Sequence, residues 1–230
     1  MKTIGLIGGT SWESTIEYYR LINKGVRDRL GGLHSADLVL RSVEFAEYDT
    51  LMRAGDWDGV TSRLTDNARR LEAFGAEAFI ICTNTMHFVA DRIEPNVTIP
   101  LIHIADAAGK GIKASGITTI GLLGTIATMK QEFYRKRLNE RFGIAVVTPD
   151  DKDGKALDSI IFDELCGGIV SPESKRTLVR IMNDMVKAGA EGILLACTEL
   201  PLIVGPEDIS CPVLDTMALH SEAVVDYLVS

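Results

Sequence analysis

Short apolar runs rich in β-branched residues alternate along the chain with longer stretches in which apolar residues recur every three or four positions. The short runs predict strands over residues 3–8, 37–43, 78–82, 101–104, 117–123, 144–148, 192–196 and 213–214, and the stretches between them predict helices. Ser14-Thr15-Ile16-Glu17 has the spacing of a capping box opening the first helix, with Ser11 as a competing cap. This alternation is the pattern of parallel strands joined by helical crossovers, so the predicted class is α/β.

The pattern also repeats. Gly75-Ala76-Glu77 opens a segment that returns 114 residues later (189 − 75) as Gly189-Ala190-Glu191, and each runs on through an apolar strand. Ile4-Gly5-Leu6-Ile7-Gly8 resembles Ile120-Gly121-Leu122-Leu123-Gly124 at an offset of 116 (120 − 4), and Pro100-Leu101-Ile102 resembles Pro212-Val213-Leu214 at 112 (212 − 100). Three ordered matches at nearly constant offset predict two pseudo-symmetric halves, each a parallel sheet flanked by helices, with an active site between them. The predicted boundaries are 1–103 plus 216–230 for the first half, the last helix packing back onto it, and 104–215 for the second. Under this repeat Thr83 falls opposite Cys197, and Asn84 opposite Thr198.

Ligands of parallel α/β sheets bind at the carboxyl ends of the strands. Those ends carry Gly8-Gly9-Thr10-Ser11, Thr83-Asn84-Thr85, Gly124-Thr125 and Cys197-Thr198-Glu199. Cys197 is expected just before a helix or turn, where amide donors and a helix N-terminus lower a thiol pKa; the alternative is a packed, inert cysteine. Cys82 is one residue out of phase with Cys197 and belongs to the core, since side chains alternate along a strand. Cys166 and Cys211 are read as packing residues. Thr10, Ser11, Asn84, Thr85, Thr125, Thr198 and Glu199 offer hydrogen bonds to a carboxylate, although several of them also suit helix caps. His87, just beyond, is placed to touch a ligand or orient a site residue, or is a structural histidine. Gly5-x-x-Gly8-Gly9 matches neither the dinucleotide fingerprint nor a P-loop, and is read as a tight turn whose amides approach an anion. Glu44, Glu47 and Asp49 are read as solvated loop residues.

Composition narrows the class further. Lys and Arg total 24 against 32 Asp and Glu, a net charge of −8 with no basic run, which argues against nucleic-acid and anionic-membrane partners. The glycine-broken apolar start reads as a strand rather than a leader, and no apolar run approaches a membrane span. The four cysteines form no Cys-x-x-Cys pair, so free thiols in a reducing cytoplasm are expected. His34, His103 and His220 show no metal-ligand spacing, and no metal is predicted.

The segments 4–10, 83–85, 121–125 and 197–199, at these distances, resemble the aspartate/glutamate racemase family over essentially the whole chain. Its enterobacterial members are especially similar through Ser11-Trp12-Glu13-Ser14-Thr15, Cys82-Thr83-Asn84-Thr85-Met86-His87 and His103-Ile104-Ala105-Asp106-Ala107. The resemblance implies an isomerase that racemises small amino acids without pyridoxal phosphate or other cofactor, two cysteines flanking the α-carbon, and a homodimer. Inversion through a planar intermediate needs acid and base on opposite sides. Thr83 stands where the family's first cysteine is expected, so the resemblance assigns α-proton removal from the L-enantiomer to Cys197, with Thr83 on the opposite face. Met52 stands where a polar residue is frequent, which weakens the case for a dicarboxylic substrate. A single-cysteine decarboxylase, a maleate-isomerase-like relative and a non-catalytic binder of small acids are the alternatives.

Overall fold

The computed structural model describes residues 1–230, which divide into two compact units: Met1–Ile104 with Met217–Ser230, and Ala105–Thr216. The first unit holds β1 (Ile4–Gly8), α1 (Trp12–Leu30), β2 (Leu38–Ser42), α2 (Phe45–Arg53), α3 (Trp57–Ala73), β3 (Ala78–Ile81) and α4 (Ala90–Ile93). The second holds β4 (Thr119–Gly124), α6 (Ile126–Lys130), α7 (Glu132–Phe142), β5 (Ala145–Val147), α8 (Asp151–Ser159), α9 (Pro172–Lys187), β6 (Gly192–Ala196) and β7 (Val213–Asp215). The chain crosses from one unit to the other at the first residue of α5 (Ile104–Ala114) and again at the first residue of α10 (Thr216–Val229). No helix is long and apolar enough to cross a membrane.

Both sheets are wholly parallel, in the orders β2-β1-β3 and β5-β4-β6-β7. The sequence repeat is a repeat of register. Ile4 pairs with Ala78 in one sheet and Ile120 with Gly192 in the other, matching the offsets of 116 (120 − 4) and 114 (192 − 78). Leu101, expected in a strand over 101–104, makes a single bridge to Phe79, the counterpart of Val213 beside Ile193. The strand stops there because Ile104 already opens α5.

Local chemistry explains why Gly-Ala-Glu recurs. Gly75 and Gly189 leave their helices at φ 93° and 103°, a region that favours glycine. The alanines that follow are buried under the central strands, where a β-carbon on Gly5 would come within 3.2 Å of Ala76 Cβ and one on Gly121 within 3.4 Å of Ala190 Cβ. The carboxylates then accept backbone N–H bonds at the start of the central strand: Glu77 from Thr3 at 3.0 Å, and Glu191 from Thr118 at 2.6 Å and Thr119 at 3.2 Å. The motif is therefore a structural clamp far from the strand ends.

Strand alternation sends side chains to opposite cores. Ala78, Ile80 and Cys82 join Tyr18, Ile22 and Val26 of α1 and Met217, Val224 and Leu228 of α10. Phe79 and Ile81 face Val60, Leu64, Ala68 and Leu71 of α3. In the second unit, Ile193, Leu195 and Cys197 pack with Leu178, Ile181, Met182 and Met185 of α9. Ser11 is the cap of α1, its hydroxyl accepting the Ser14 N–H at 3.3 Å, so the competing cap prevails over Ser14. Glu44, Glu47 and Asp49, read as loop residues, belong to α2: Glu44 caps it, Glu47 pairs with Arg63 and Asp49 with Arg53.

The close of β1 against β2 depends on Gly8 and Gly9. The Val43 N–H donates to the Gly8 carbonyl at 2.9 Å, and a β-carbon on Gly9, at φ 93°, would fall on the Val43 peptide. Gly9→Ala is expected to cost about 3 kcal/mol in urea unfolding, from the positive φ plus the backbone clash. Gly154→Ala in α8, where the nearest atom is Met129 Cε at 3.7 Å, is expected to be neutral or stabilising.

His220 of α10 is fully buried, donating from Nε2 to the Ile102 carbonyl at 2.7 Å and accepting the Tyr18 hydroxyl at Nδ1, 2.9 Å. Burial pushes its pKa down to about 4. The unfolded imidazole titrates near 6.5, so between those values the unfolded chain binds a proton that the folded chain refuses. Stability present above pH 6.5 is lost as the pH falls toward 4, by about 3 kcal/mol from this group. Urea titrations across that range should show a shallower loss for His220→Gln than for the natural chain.

Candidate active site

In the second unit the chain leaves β6 at Ala196, and Cys197, in phase with Ile193 and Leu195, sits just past the last paired residue. It is 8% exposed, and its Sγ–H donates to Glu199 Oε2 at 3.1 Å. The Thr198 hydroxyl donates to the same oxygen at 2.7 Å. Burial pushes the thiol pKa well above the ordinary range, and the Glu199 charge adds to the rise. This overturns the expectation of a thiol acidified by a helix N-terminus. Only a single 3₁₀ turn, Leu200–Leu202, follows, and the nearest charge is negative.

Thr125 ends β4 as the half-buried cap of α6, its Oγ1 accepting the Thr128 N–H at 3.3 Å. Cys166, read as a packing residue, is exposed on the turn Leu165–Gly167, because Leu165 takes the core position there. Cys211 is half-buried at the margin of the same core.

In the first unit the corresponding strand end carries Thr83, in phase with Phe79 and Ile81, its N–H donating to the Ile81 carbonyl at 2.8 Å. Asn84 is buried at the head of a 3₁₀ turn, Thr85–Val89, without a side-chain capping bond. Thr83 and Thr85 are half-buried, and His87 is buried below them. At the end of β1, Thr10 is 7% exposed and its hydroxyl makes no hydrogen bond within the protein. A buried hydroxyl in that state is a ready contact for a polar ligand. Ser11 holds φ 153°, a strained value, fixed by its cap bond and by the Thr15 hydroxyl donating to its carbonyl at 2.9 Å.

The Gly5-x-x-Gly8-Gly9 amides were expected to approach an anion, but the Gly9 N–H already donates to Thr15 Oγ1 at 2.8 Å, and Gly5 is a packing glycine. Cys82 is core, its thiol pushed far above the ordinary range by burial. No group of three or more His, Cys, Asp or Glu side chains is placed to hold a metal ion. Chemically, the two strand ends differ. One offers a thiol against a carboxylate, the other hydroxyls and an amide.

Residues 7–224 match the family model described as Asp/Glu/hydantoin racemase. The chain belongs to the Asp/Glu/hydantoin racemase family. A solved candidate Asp/Glu racemase from Yersinia pestis is 50% identical, with a TM-score of 0.96 and full coverage of both chains. An aspartate racemase homologue from Pyrococcus horikoshii is 35% identical, with a TM-score of 0.88 and full coverage of both. A broad specificity amino-acid racemase from Bacillus subtilis is 23% identical over 74% of this chain and 73% of its own. Family members of this kind are isomerases, and the two parallel sheets flanked by helices are the family's architecture.

Within this racemase-family chain, Cys166 is exposed, whereas burial both shields Cys197 and Cys82 and raises their thiol pKa. Iodoacetamide at about pH 8 should label Cys166 well before Cys197 or Cys82, read by peptide mass spectrometry. Glu199→Gln removes the charge that opposes the Cys197 thiolate and is expected to speed its alkylation. An unchanged rate would show that burial alone controls the thiol.

Proposed function

We propose that the protein is a cofactor-independent racemase of small acidic amino acids, L-aspartate and L-glutamate first, in which Cys197 removes the α-proton of the L-enantiomer. The observation that carries this reading is the Cys197–Glu199 pair at the end of β6, 3.1 Å apart. During turnover the carboxylate takes the thiol proton, so the thiolate that removes the α-proton faces a carboxylic acid rather than the charge that opposes it in the resting protein. The repeat supports Thr83 as the partner acting on the opposite face of the α-carbon, directly or through water.

Thr10, Ser11, Asn84, Thr85, Thr125 and Thr198 are assigned to substrate binding, Thr10 on the strength of its buried, unbonded hydroxyl. An α-proton is much less acidic than a thiol, so such donors must stabilise the enediolate charge that develops on the substrate carboxylate. Glu199, expected among the substrate contacts, is reassigned to the thiol. The repeat pairs Glu199 with Thr85, at 114 residues (199 − 85), so the Thr83 end has no carboxylate to receive a proton. Both directions cross the same two barriers, so a weak Thr83 side slows inversion from either enantiomer and leaves α-proton exchange of L-substrate faster than its inversion. The equilibrium ratio stays at unity, because enantiomers have equal free energy.

Incubation with L-aspartate or L-glutamate in deuterated water tests the assignment through α-proton exchange and chirality. Cys197→Ala is expected to lose at least about 100-fold in exchange, the scale of a positioned acid/base group. Thr83→Cys is expected to raise the rate from the D-enantiomer. Exchange that survives in Cys197→Ala removes Cys197 from its role, and no exchange in the natural chain with any amino acid favours a binding protein.

A further inference from the structure

His87 lies four residues past Thr83, 1% exposed, with both ring nitrogens bonded to backbone. Nδ1 is 2.7 Å from the Thr83 carbonyl oxygen, and Nε2 is 3.3 Å from the Ile104 amide nitrogen. A carbonyl only accepts and an amide N–H only donates, so these partners fix one tautomer: Nδ1 carries the proton and Nε2 is bare. The ring is held in the plane these bonds require by packing against two other buried histidines, His103 at 4.6 Å and His220 at 5.7 Å between centroids. His220 in turn holds the Ile102 carbonyl at 2.7 Å. Residues 102 and 104 are thus fastened by two histidines arriving from different elements, and His87 is the one that reaches the strand end.

We infer that His87 is a positioning residue: its Nδ1–H bond to the Thr83 carbonyl sets the orientation of the Thr83 hydroxyl and of the Asn84 peptide for proton delivery. The Thr83–Asn84 peptide is planar, so holding its carbonyl fixes the direction of the Asn84 N–H; with the Thr83 N–H bonded to the Ile81 carbonyl on its other side, it also restrains the ψ that aims the Thr83 side chain. Thr83 is the weaker acid/base group of the proposed pair, and a weak group tolerates misplacement least, because its contribution rests on geometry. His87 also accepts one of the first amides of α5, which ties the turn to the start of that helix.

The inference rests on the racemase reading and separates from it by experiment. In deuterated water, L-substrate deuterated without inversion reports proton removal and return on the Cys197 side, while inversion also needs Thr83. His87→Ala is expected to lower inversion about tenfold more than exchange, the scale of one lost hydrogen bond to a site. Asn places an amide N–H near the former Nδ1 position and is expected to keep inversion within about twofold of the natural chain. Gln places its amide near the former Nε2 position and is expected to behave like Ala. Exchange and inversion falling in proportion, or Asn no better than Gln, overturns the inference; comparing Asn with Gln keeps it testable if the Ala variant does not fold. Nitrogen-15 spectra of the histidines give a reading independent of activity. A protonated Nδ1 and bare Nε2 at His87 are expected, and a protonated Nε2 overturns the inference even if no amino acid is turned over.

Discussion

The register between each central strand and the neighbour that carries the chemistry decides where every reactive side chain falls. Ile7 opposite Ile81, and Leu123 opposite Leu195, fix how far each strand runs before the backbone turns out of the sheet. A slip of one residue would place Cys82 where Thr83 stands and send Cys197 into the opposite layer. Two devices hold that register at the far ends of the strands. Glu77 and Glu191 clamp the first amides of the central strands, and Gly5 and Gly121 let Ala76 and Ala190 close on them. The chemistry at one end of the sheet thus relies on packing at the other.

Similar scaffolding carries unequal chemistry. Both units present a residue in phase with the last two inward strand positions, followed by two polar residues, yet one set is Cys197-Thr198-Glu199 and the other Thr83-Asn84-Thr85. The first set contains an ionisable pair, and burial and the neighbouring carboxylate raise its thiol pKa rather than a helix lowering it. The second set contains no group that ionises near neutrality, so its contribution depends on orientation. Buried hydrogen bonds run from the Thr83 carbonyl through His87 to Ile104, and His220, packed against His87, holds Ile102.

The α/β class, the strands and the internal repeat were legible because they rest on periodicity and on glycines that only one backbone geometry explains. The strand ends were legible as polar breaks after apolar runs. Other features depend on which partner each group takes up in the fold, which no local pattern reveals. The low acidity of Cys197 follows first from its burial and then from Glu199, whose i+2 spacing is the only local trace of that contact. The Gly9 amide was spoken for by Thr15, six residues on, and the exposure of Cys166 follows from Leu165 taking the core position. Residues 101–104 are apolar enough for a strand, but the start of α5 truncates it to one bridge at Leu101. His87 and His220 carried no spacing signal, since their partners are backbone groups and, for His220, the Tyr18 hydroxyl 202 residues away.

The route of the chain has a consequence for synthesis. The second unit is one continuous stretch, whereas the first is complete only with Met217–Ser230, whose Met217, Val224, Val225 and Leu228 fill the core against α1 and β1. A ribosome emits the chain from the N-terminus, so β1, β2 and β3 emerge early but wait for the last helix to cover one face of their sheet. The later-made unit has all its own residues first. The sheet of the first unit therefore cannot close before the second unit's residues have been made, and until α10 emerges the apolar face that it covers stays open to chaperones or to other nascent chains.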